Sequence, residues 1–257
     1  MRPRSPSRPF AAHIAGVVLA LMALACGDDD TAAGDVTVLA ASSLTESFEE
    51  IATAFEAEHD GVDVQLTFDA SSALATQIQE GVPADVFASA DQANLDEVTD
   101  AGLGVGTPSA FASNRLQIVV PEGNPAAVTS LADLAAGNLD VALCAPEVPC
   151  GRYAAQAFAN AGLEVPEASQ EDNVRGVLTK VALGEADAGI VYVTDVRADA
   201  DVEGVDLPDD VNVVASYPAT ALRDAPDPEL AAAFVAFLTS DEAQAILRRH
   251  GFGPPAP

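Results

Sequence analysis

Short runs of apolar and β-branched residues alternate with amphipathic stretches along most of the chain. The first run predicts a strand at 36–40, and apolar residues three or four positions apart then predict a helix over 44–58. Continued alternation of this kind is typical of α/β proteins with largely parallel sheets. Further strands are predicted at 63–68, 85–89, 115–121, 139–143, 188–193 and 211–217, and further helices at 72–80, 92–101, 131–136, 151–161, 174–184, 228–238 and 241–249.

A passage rich in glycine and proline, 101–108, separates the first three strand–helix units from the next strand. We interpret it as the first crossing between two lobes. The first lobe is predicted to comprise 35–114 and 222–257, and the second 115–221. With 257 residues, 49% of them hydrophobic, the chain is long enough to bury two such cores. Ligands of open parallel sheets bind at the carboxyl ends of strands, so we expect a ligand cleft between the lobes.

The first 26 residues have the pattern of an export signal. Three arginines precede an apolar run of roughly a dozen residues, which is too short to span a bilayer comfortably. The run ends in Ala-Leu-Ala-Cys, which resembles a bacterial lipoprotein signal in which Cys26 is acylated. Ordinary cleavage near Ala25 is the alternative. We therefore expect an exported protein, periplasmic or on the outer face of the cell membrane, held by a lipid anchor and a flexible tether over 27–34.

Acidic residues strongly outnumber basic ones. The formal net charge is −29 and becomes more negative once the arginines of the leader are removed. Nucleic acid and anionic membrane surfaces are therefore poor partners, and the only membrane contact we expect is the lipid anchor. Any anion-binding site in such a chain has to depend on local dipoles.

Several predicted helices begin with a residue that can cap them. Ser43 and Glu46 fit a capping box, Ser71 or Ser72 can cap the next helix, and Asn173 can cap the helix that starts at Val174. A helix N-terminus presents unpaired N–H groups and the positive end of a dipole, so several that converge can hold an anion without a cationic side chain. Each residue taken alone is explained equally well by capping.

Catalytic and metal-binding interpretations find little support. Neither Ser43 nor Ser71 has a histidine or lysine nearby in sequence, and Asp85 and Asp91 are better explained as the start of a strand and a helix cap. No Walker A sequence, dinucleotide fingerprint or zinc motif occurs in the chain. We therefore expect neither an enzyme nor a cofactor.

Two cysteines, Cys144 and Cys150, lie six positions apart. Outside the cytoplasm such a pair can oxidise to a disulfide that closes a small loop. The histidines His59 and His250 are far from both in sequence, so a zinc site is not expected.

Six motifs occur in a fixed order along the chain. They are Leu-Ala-Ala-Ser-Ser-Leu-Thr-Glu-Ser-Phe at 39–48, Phe-Asp-Ala-Ser-Ser-Ala-Leu at 68–74, Gly-Val-Pro-Ala-Asp-Val-Phe-Ala-Ser-Ala-Asp at 81–91, Pro-Glu-Val-Pro-Cys-Gly-Arg-Tyr-Ala at 146–154, Asn-Val-Arg-Gly at 173–176 and Ala-Gly-Ile-Val-Tyr at 188–192. This combination resembles the periplasmic molybdate-binding proteins of molybdate ABC transporters. The resemblance covers essentially the whole chain after the leader, and it implies a type II periplasmic-binding-protein fold.

The resemblance also implies a binding site. Molybdate, which is the oxyanion of molybdenum, or tungstate would be held by the hydroxyls of Ser43 and Ser71, the backbone N–H groups of Cys150 and Val174, and the hydroxyl of Tyr192. The loop before Cys150 is one residue shorter than is usual in the family.

The resemblance further implies a monomer that delivers the anion to a membrane permease and its ATPase. Two alternatives stay open. One is a protein of the same fold that binds sulfate, thiosulfate, phosphate or another anion, and the other is an enzyme on the same two-lobed scaffold.

Overall fold

A computed structural model describes residues 34–166 and 168–255. The predicted signal segment 1–26, with Cys26, and the tether up to residue 33 lie outside the described residues. Nine strands occur in the described part. They are β1 Asp35–Ala41, β2 Asp63–Asp69, β3 Val86–Ala88, β4 Gly104–Pro121, β5 Val141–Cys144, β6 Ser169–Glu171, β7 Ala188–Tyr192, β8 Val202–Asp206 and β9 Val214–Leu222.

The helices follow the strands in the alternation that the sequence predicts, and a short 3-10 turn, Ser42–Leu44, leads into the first of them. They are α1 Thr45–Glu58, α2 Ser71–Gln79, α3 Gln92–Asp100, α4 Leu131–Ala135, α5 Pro149–Asn160, α6 Val174–Ala182, α7 Val193–Ala198, α8 Pro228–Phe237 and α9 Asp241–His250.

The strands form two sheets that share β4. In the first sheet the order is β2-β1-β3-β9-β4, with β1 parallel to both neighbours and β9 antiparallel to β3 and β4. In the second sheet β4 is followed by β7, β5 and β6, while β8 also pairs with β4. Residues up to Arg115 of β4 pair with β9, and Leu116 begins the pairing with β7. This two-lobed α/β fold agrees with the sequence-based prediction.

Two strands differ from that prediction. The passage 101–108 was expected to be a crossing, but β4 already begins at Gly104, and register shifts between Val105 and Ser109 and between Ala110 and Ala112 show that it is irregular there. Glycine and proline are tolerated in a strand at such bulges. The second difference is β9, expected at 211–217 in the second lobe, which pairs with β3 and β4 of the first sheet. The exact lobe boundaries stay a prediction.

Three short elements, β6, α7 and β8, were not predicted. The strand β6 consists of Ser-Gln-Glu, and Val202 is the one buried residue of β8, so neither has the apolar alternation that identifies a strand. The helix α7 follows β7 without a turn residue. Both strands pair at the second sheet, where hydrogen bonds to a neighbour compensate for weak local preference.

Aromatic side chains join α1 to β4 and α8 in the core of the first lobe. The ring centroid of Phe48 lies 5.7 Å from that of Phe111 and 6.3 Å from that of Phe234. Phe55 contacts Phe234 and Phe237 at 5.1 and 5.5 Å between centroids. The helix α8, the last but one in the chain, therefore packs on the first lobe.

Among the described residues, no single helix has the length and apolar character needed to cross a membrane. The pair α8 and α9, bent by 57° at their junction, meets that test by length and composition.

Replacing Phe48 by alanine should lower the free energy of unfolding by about 3–5 kcal/mol, because it opens a cavity among fully buried rings. Urea unfolding measures the loss. Leu183, which is 69% exposed, provides a control whose replacement by alanine should change stability by about 0.5 kcal/mol or less. Equal losses for the two variants would contradict this description of the core.

Candidate anion-binding site

Four helix starts and the end of β7 meet at one small cavity. Its volume is about 200 Å³, including space that opens to solvent. The five residues predicted to bind an anion all line it, and they come from both lobes. They are Ser43, Ser71, Cys150, Val174 and Tyr192.

In the first lobe, both predicted serines lie inside a helical turn rather than before it. The extended residue Ala41 precedes the 3-10 turn that contains Ser43, and Ala70 precedes α2, which begins at Ser71. Among the described residues, neither helix start has a side-chain cap, so the prediction that Ser43 and either Ser71 or Ser72 are N-caps is wrong. Ser71 is the first residue of α2 and Ser43 is the second residue of its turn, so both lie beyond the cap position, where a hydroxyl no longer reaches the N–H groups of its own helix. Both hydroxyl side chains are instead available to the cavity.

The second serine has a fixed partner behind it. The Ser71 Oγ accepts a hydrogen bond from the backbone N–H of Ala90, at 2.9 Å. An oxygen that already accepts can still donate its own hydrogen, so the Ser71 hydroxyl remains a donor.

In the second lobe, α5 starts at Pro149 after Val148. Proline has no N–H, so Cys150 supplies the first backbone donor of this helix. The turn that precedes it is tight, because a Cβ at Gly151 would lie 2.1 Å from the carbonyl oxygen of Ala145. Glycine at the second donor position thus permits this close approach.

The helix α6 starts at Val174 with the cap that the sequence predicts. The Oδ1 of Asn173 accepts the backbone N–H of Gly176 at 3.1 Å. The N–H groups of the first turn have no acceptor within their own helix. That of Val174 is therefore a donor at the cavity wall.

A disulfide joins Cys144, the last residue of β5, to Cys150 of α5, with 5.7 Å between the Cα atoms. It ties the helix start that carries the Cys150 donor to the second sheet. The bond therefore restricts the position of that N–H group.

Tyr192 ends β7 with its side chain buried, and its hydroxyl has no hydrogen-bond partner among the described residues. A buried tyrosine hydroxyl normally has a partner. Burial raises the pKa of the Tyr192 phenol well above 10, so the group stays neutral and keeps its hydrogen. It can donate that hydrogen to an acceptor in the cavity.

The cavity wall is electrically unusual for an anion site. Among the residues that the structure describes, it contains no cationic side chain and one carboxylate, that of Asp69. The Asp69 Oδ1 accepts the N–H of Ala70 at 2.7 Å and the amide of Asn173, across the cleft, at 3.2 Å. Attraction for an anion has to come from neutral N–H and O–H donors.

Two arginines of the second lobe contact carboxylates of the first lobe close to the cavity. Arg152 Nε donates to Asp91 Oδ2 at 3.1 Å, and Arg175 pairs with Glu46. The Oδ1 of Asp91 caps α3 through the N–H of Asn94, as predicted. Glu46 forms no capping box at Ser43, since its carboxylate is used in the contact across the cleft.

Sequence reasoning missed the residues that lie behind Ser43. The hydroxyl of Tyr217, on β9, lies 2.9 Å from the Ser43 Oγ, and the amide of Asn114 contacts both Tyr217 and Thr194. The chain separation of Ser43 and Tyr217, 174 positions, leaves no local signal for this contact.

Comparison with known proteins accounts for the fold. The family described as bacterial extracellular solute-binding protein matches residues 36–253. The chain belongs to this family. Its members bind solutes outside the cytoplasm, which agrees with the expected export.

Relatives within this family carry a more specific description. A protein of Mycobacterium tuberculosis named as molybdate-binding is 40% identical over 253 residues, which cover 93% of this chain and 97% of the relative. A protein of Escherichia coli with the same description is 36% identical over 231 residues, covering 85% and 89%.

Two solved structures show how widely the fold is shared. The periplasmic molybdate-binding protein of Azotobacter vinelandii has a TM-score of 0.75 at 22% identity, covering 86% of this chain and 100% of its own. A sulfate-binding protein of Mycobacterium tuberculosis has a TM-score of 0.79 at 19% identity, covering 87% and 88%. The fold alone therefore does not distinguish one oxyanion from another.

Replacing both Cys144 and Cys150 by alanine should lower the free energy of unfolding by about 2 kcal/mol, because the unfolded chain regains the freedom of a short loop. Denaturant titrations with and without a thiol reductant measure this. The reductant should destabilise the wild type by a similar amount and leave the variant unchanged. A reductant effect on both proteins would show that the loss has another origin.

Asp195, which is fully buried in α7, should make a pH-dependent contribution to the free energy of unfolding. Desolvation raises its pKa from 3.8 to about 6, although Arg175 and the N–H of Tyr192 favour the charged form. Because the folded-state pKa is the higher one, the stabilising effect of protonation is complete below about pH 4. It is lost as the pH rises to about 6.

Asp195→Asn should remove this contribution. Relative to the variant, the wild type should lose about 2–3 kcal/mol of unfolding free energy between pH 4 and pH 7. Urea titrations across that range provide the comparison. A wild-type-minus-variant difference that does not change with pH would refute the assignment.

Proposed function

We propose that this chain captures molybdate or tungstate in the cavity between its lobes and delivers it to the permease and ATPase of an ABC importer. The observation that carries the proposal is the buried Tyr192 hydroxyl, which lines a cavity at four helix starts and lacks a partner among the described residues. A tetrahedral oxyanion supplies acceptors in several directions, and convergent neutral donors suit such a ligand.

Five donors take part in the proposed site. Ser43, Ser71 and Tyr192 contribute hydroxyl hydrogens, while Cys150 and Val174 contribute backbone N–H groups. Two of these residues belong to the first lobe and three to the second. The anion would therefore be the link that both lobes share.

Closure of the lobes explains how neutral donors can be sufficient. Once water is excluded, a hydrogen bond to a charged acceptor becomes stronger, because the local dielectric constant falls. The contacts of Arg152 with Asp91 and of Arg175 with Glu46 lie across the same cleft and stabilise the closed arrangement. Recognition occurs by binding alone, and no covalent bond is broken.

Relatives named as molybdate-binding, at 36–40% identity, support molybdate over other anions. Sulfate is the second candidate, because a sulfate-binding protein shares the fold. All these ligands are tetrahedral dianions with similar hydrogen-bonding needs, so selection between them depends on cavity size.

We further propose that the protein acts as a monomer and that Cys26 carries a lipid anchor.

Isothermal titration calorimetry with molybdate, tungstate, sulfate and phosphate tests the proposal on the soluble chain after residue 26. Molybdate should bind more tightly than sulfate, and at a thousand times its dissociation constant it should stabilise the fold by about 4 kcal/mol. Sulfate binding equal to that of molybdate would transfer the assignment to the alternative anion.

Ser43→Ala and Ser71→Ala should each weaken molybdate binding about tenfold or more, since each removes a hydrogen bond to a charged ligand. Ser72→Ala is the matched control, because Ser72 neighbours Ser71 but does not line the cavity. It should leave the affinity within about twofold. Unchanged binding in the first two variants would exclude those serines from the site.

A further inference from the structure

A chain of buried polar groups leads from Asn114 to the cavity. The Nδ2 of Asn114 lies 3.4 Å from the Tyr217 hydroxyl, which in turn lies 2.9 Å from the Ser43 Oγ. Asn114, Tyr217 and Ser43 are 2%, 0% and 4% exposed, so solvent has little access to any member. The direction of each hydrogen bond can therefore be deduced from the partners within the protein.

The orientation of the Asn114 amide is set by its oxygen. Its Oδ1 accepts the backbone N–H of Arg115 at 2.9 Å, which leaves the nitrogen on the opposite side. That nitrogen has two hydrogens and no acceptor capacity. It donates one to the Thr194 hydroxyl at 2.9 Å and the other to the Tyr217 hydroxyl.

The Tyr217 oxygen thus accepts from Asn114, and its own hydrogen needs a different partner. Among the described residues, the other hydrogen-bond partner of this oxygen is the Ser43 Oγ. Burial raises the pKa of Tyr217 above its ordinary value, so the phenol keeps its hydrogen. The Tyr217 hydroxyl therefore donates to Ser43.

We propose that Tyr217 is a positioning residue for oxyanion binding, which fixes Ser43 as a hydrogen-bond donor to the ligand. With its oxygen occupied by the Tyr217 hydrogen, the Ser43 hydroxyl directs its own hydrogen to the cavity that Ser43 lines. A fully deprotonated oxyanion offers acceptors only, so this orientation is the productive one. The inference rests on the proposed function, because it needs an anion at Ser43.

The same arrangement occurs at the second serine by a different route. There the backbone N–H of Ala90 occupies the Ser71 oxygen. Both serines are thus committed as donors before a ligand arrives, which reduces the ordering that binding has to impose. At Ser71 the orienting donor is a backbone N–H group. At Ser43 it is the side-chain hydroxyl of Tyr217, which a substitution can remove.

Tyr217→Phe removes the orienting hydroxyl and retains the ring, which packs against Tyr192 and Phe252. Calorimetric affinity for molybdate should fall about 3- to 10-fold in the otherwise wild-type protein, the loss expected for one hydrogen bond. In a Ser43→Ala background the same substitution should change the affinity less than about twofold. In a Ser71→Ala background the full loss should persist.

Thr194→Val is the control for the network, because it removes the other acceptor of the Asn114 amide and leaves Tyr217 untouched. It should lower the melting temperature without changing affinity by more than about twofold. The melting temperature of every variant is recorded without ligand.

Equal losses for Tyr217→Phe in the Ser43→Ala and Ser71→Ala backgrounds would show that Tyr217 acts through packing, and would overturn its role. No loss in the wild-type background would overturn it as well. A wild type that binds none of the four oxyanions would overturn the proposed function together with this inference.

Discussion

An anion held without a cation requires neutral donors that point at it before it arrives. Such a donor contributes little in water, and it contributes nothing if its hydrogen is directed elsewhere. The whole arrangement of this cavity follows from that constraint. Backbone N–H groups satisfy this constraint without further contacts, because a helix fixes their direction. Hydroxyl hydrogens rotate and have to be oriented by neighbouring groups. The acidic chain makes the requirement stricter, since its net charge of −29 repels anions at long range. Screening at physiological salt limits that repulsion to about 8 Å, so the short-range donors dominate once the ligand has entered.

The topology of the sheets brings these donors together. In a parallel arrangement the carboxyl ends of strands meet at one edge, and each is followed by a helix whose N-terminus faces the same edge. In this chain β1, β2, β5 and β6 each end a few residues before such a helix start, and β7 ends at Tyr192. The strand β4 belongs to both sheets. The edges formed by the carboxyl ends of the strands in the two sheets therefore face one cavity. A site built from both lobes is thus a consequence of strand order.

Part of this could be predicted from sequence and part could not, for identifiable reasons. The helix α1 and the Asn173 cap depend on residues within one or two turns, so local pattern was sufficient to predict them. The pairing of β9 with the first sheet depends on partners more than a hundred positions away, and apolar pattern identifies a strand without its neighbours. Ser43 was identified correctly as a residue at a helix start, but its predicted capping role was wrong, because the turn already begins at Ser42. The Tyr217 contact could not be anticipated, because the direction of a hydrogen bond is determined only when all partners are placed.

The energetics of closure separate the roles of the ion pairs and the anion. Exposed ion pairs contribute about 0–1 kcal/mol. The pair of Arg175 and Glu46, with 26% and 38% of their side chains exposed, belongs to this class, whereas the pair of Arg152 and Asp91 has one partner that is only 5% exposed. In the proposed closure these contacts form with or without ligand, so they set the ease of closure but not its dependence on the anion. A ligand shifts an equilibrium only by its difference in affinity for the two states. The proposed anion has such a difference, because Ser43 and Ser71 approach from one lobe while Cys150, Val174 and Tyr192 approach from the other. An open form could offer it at most one of these sets, so the second set supplies the free energy that couples binding to closure.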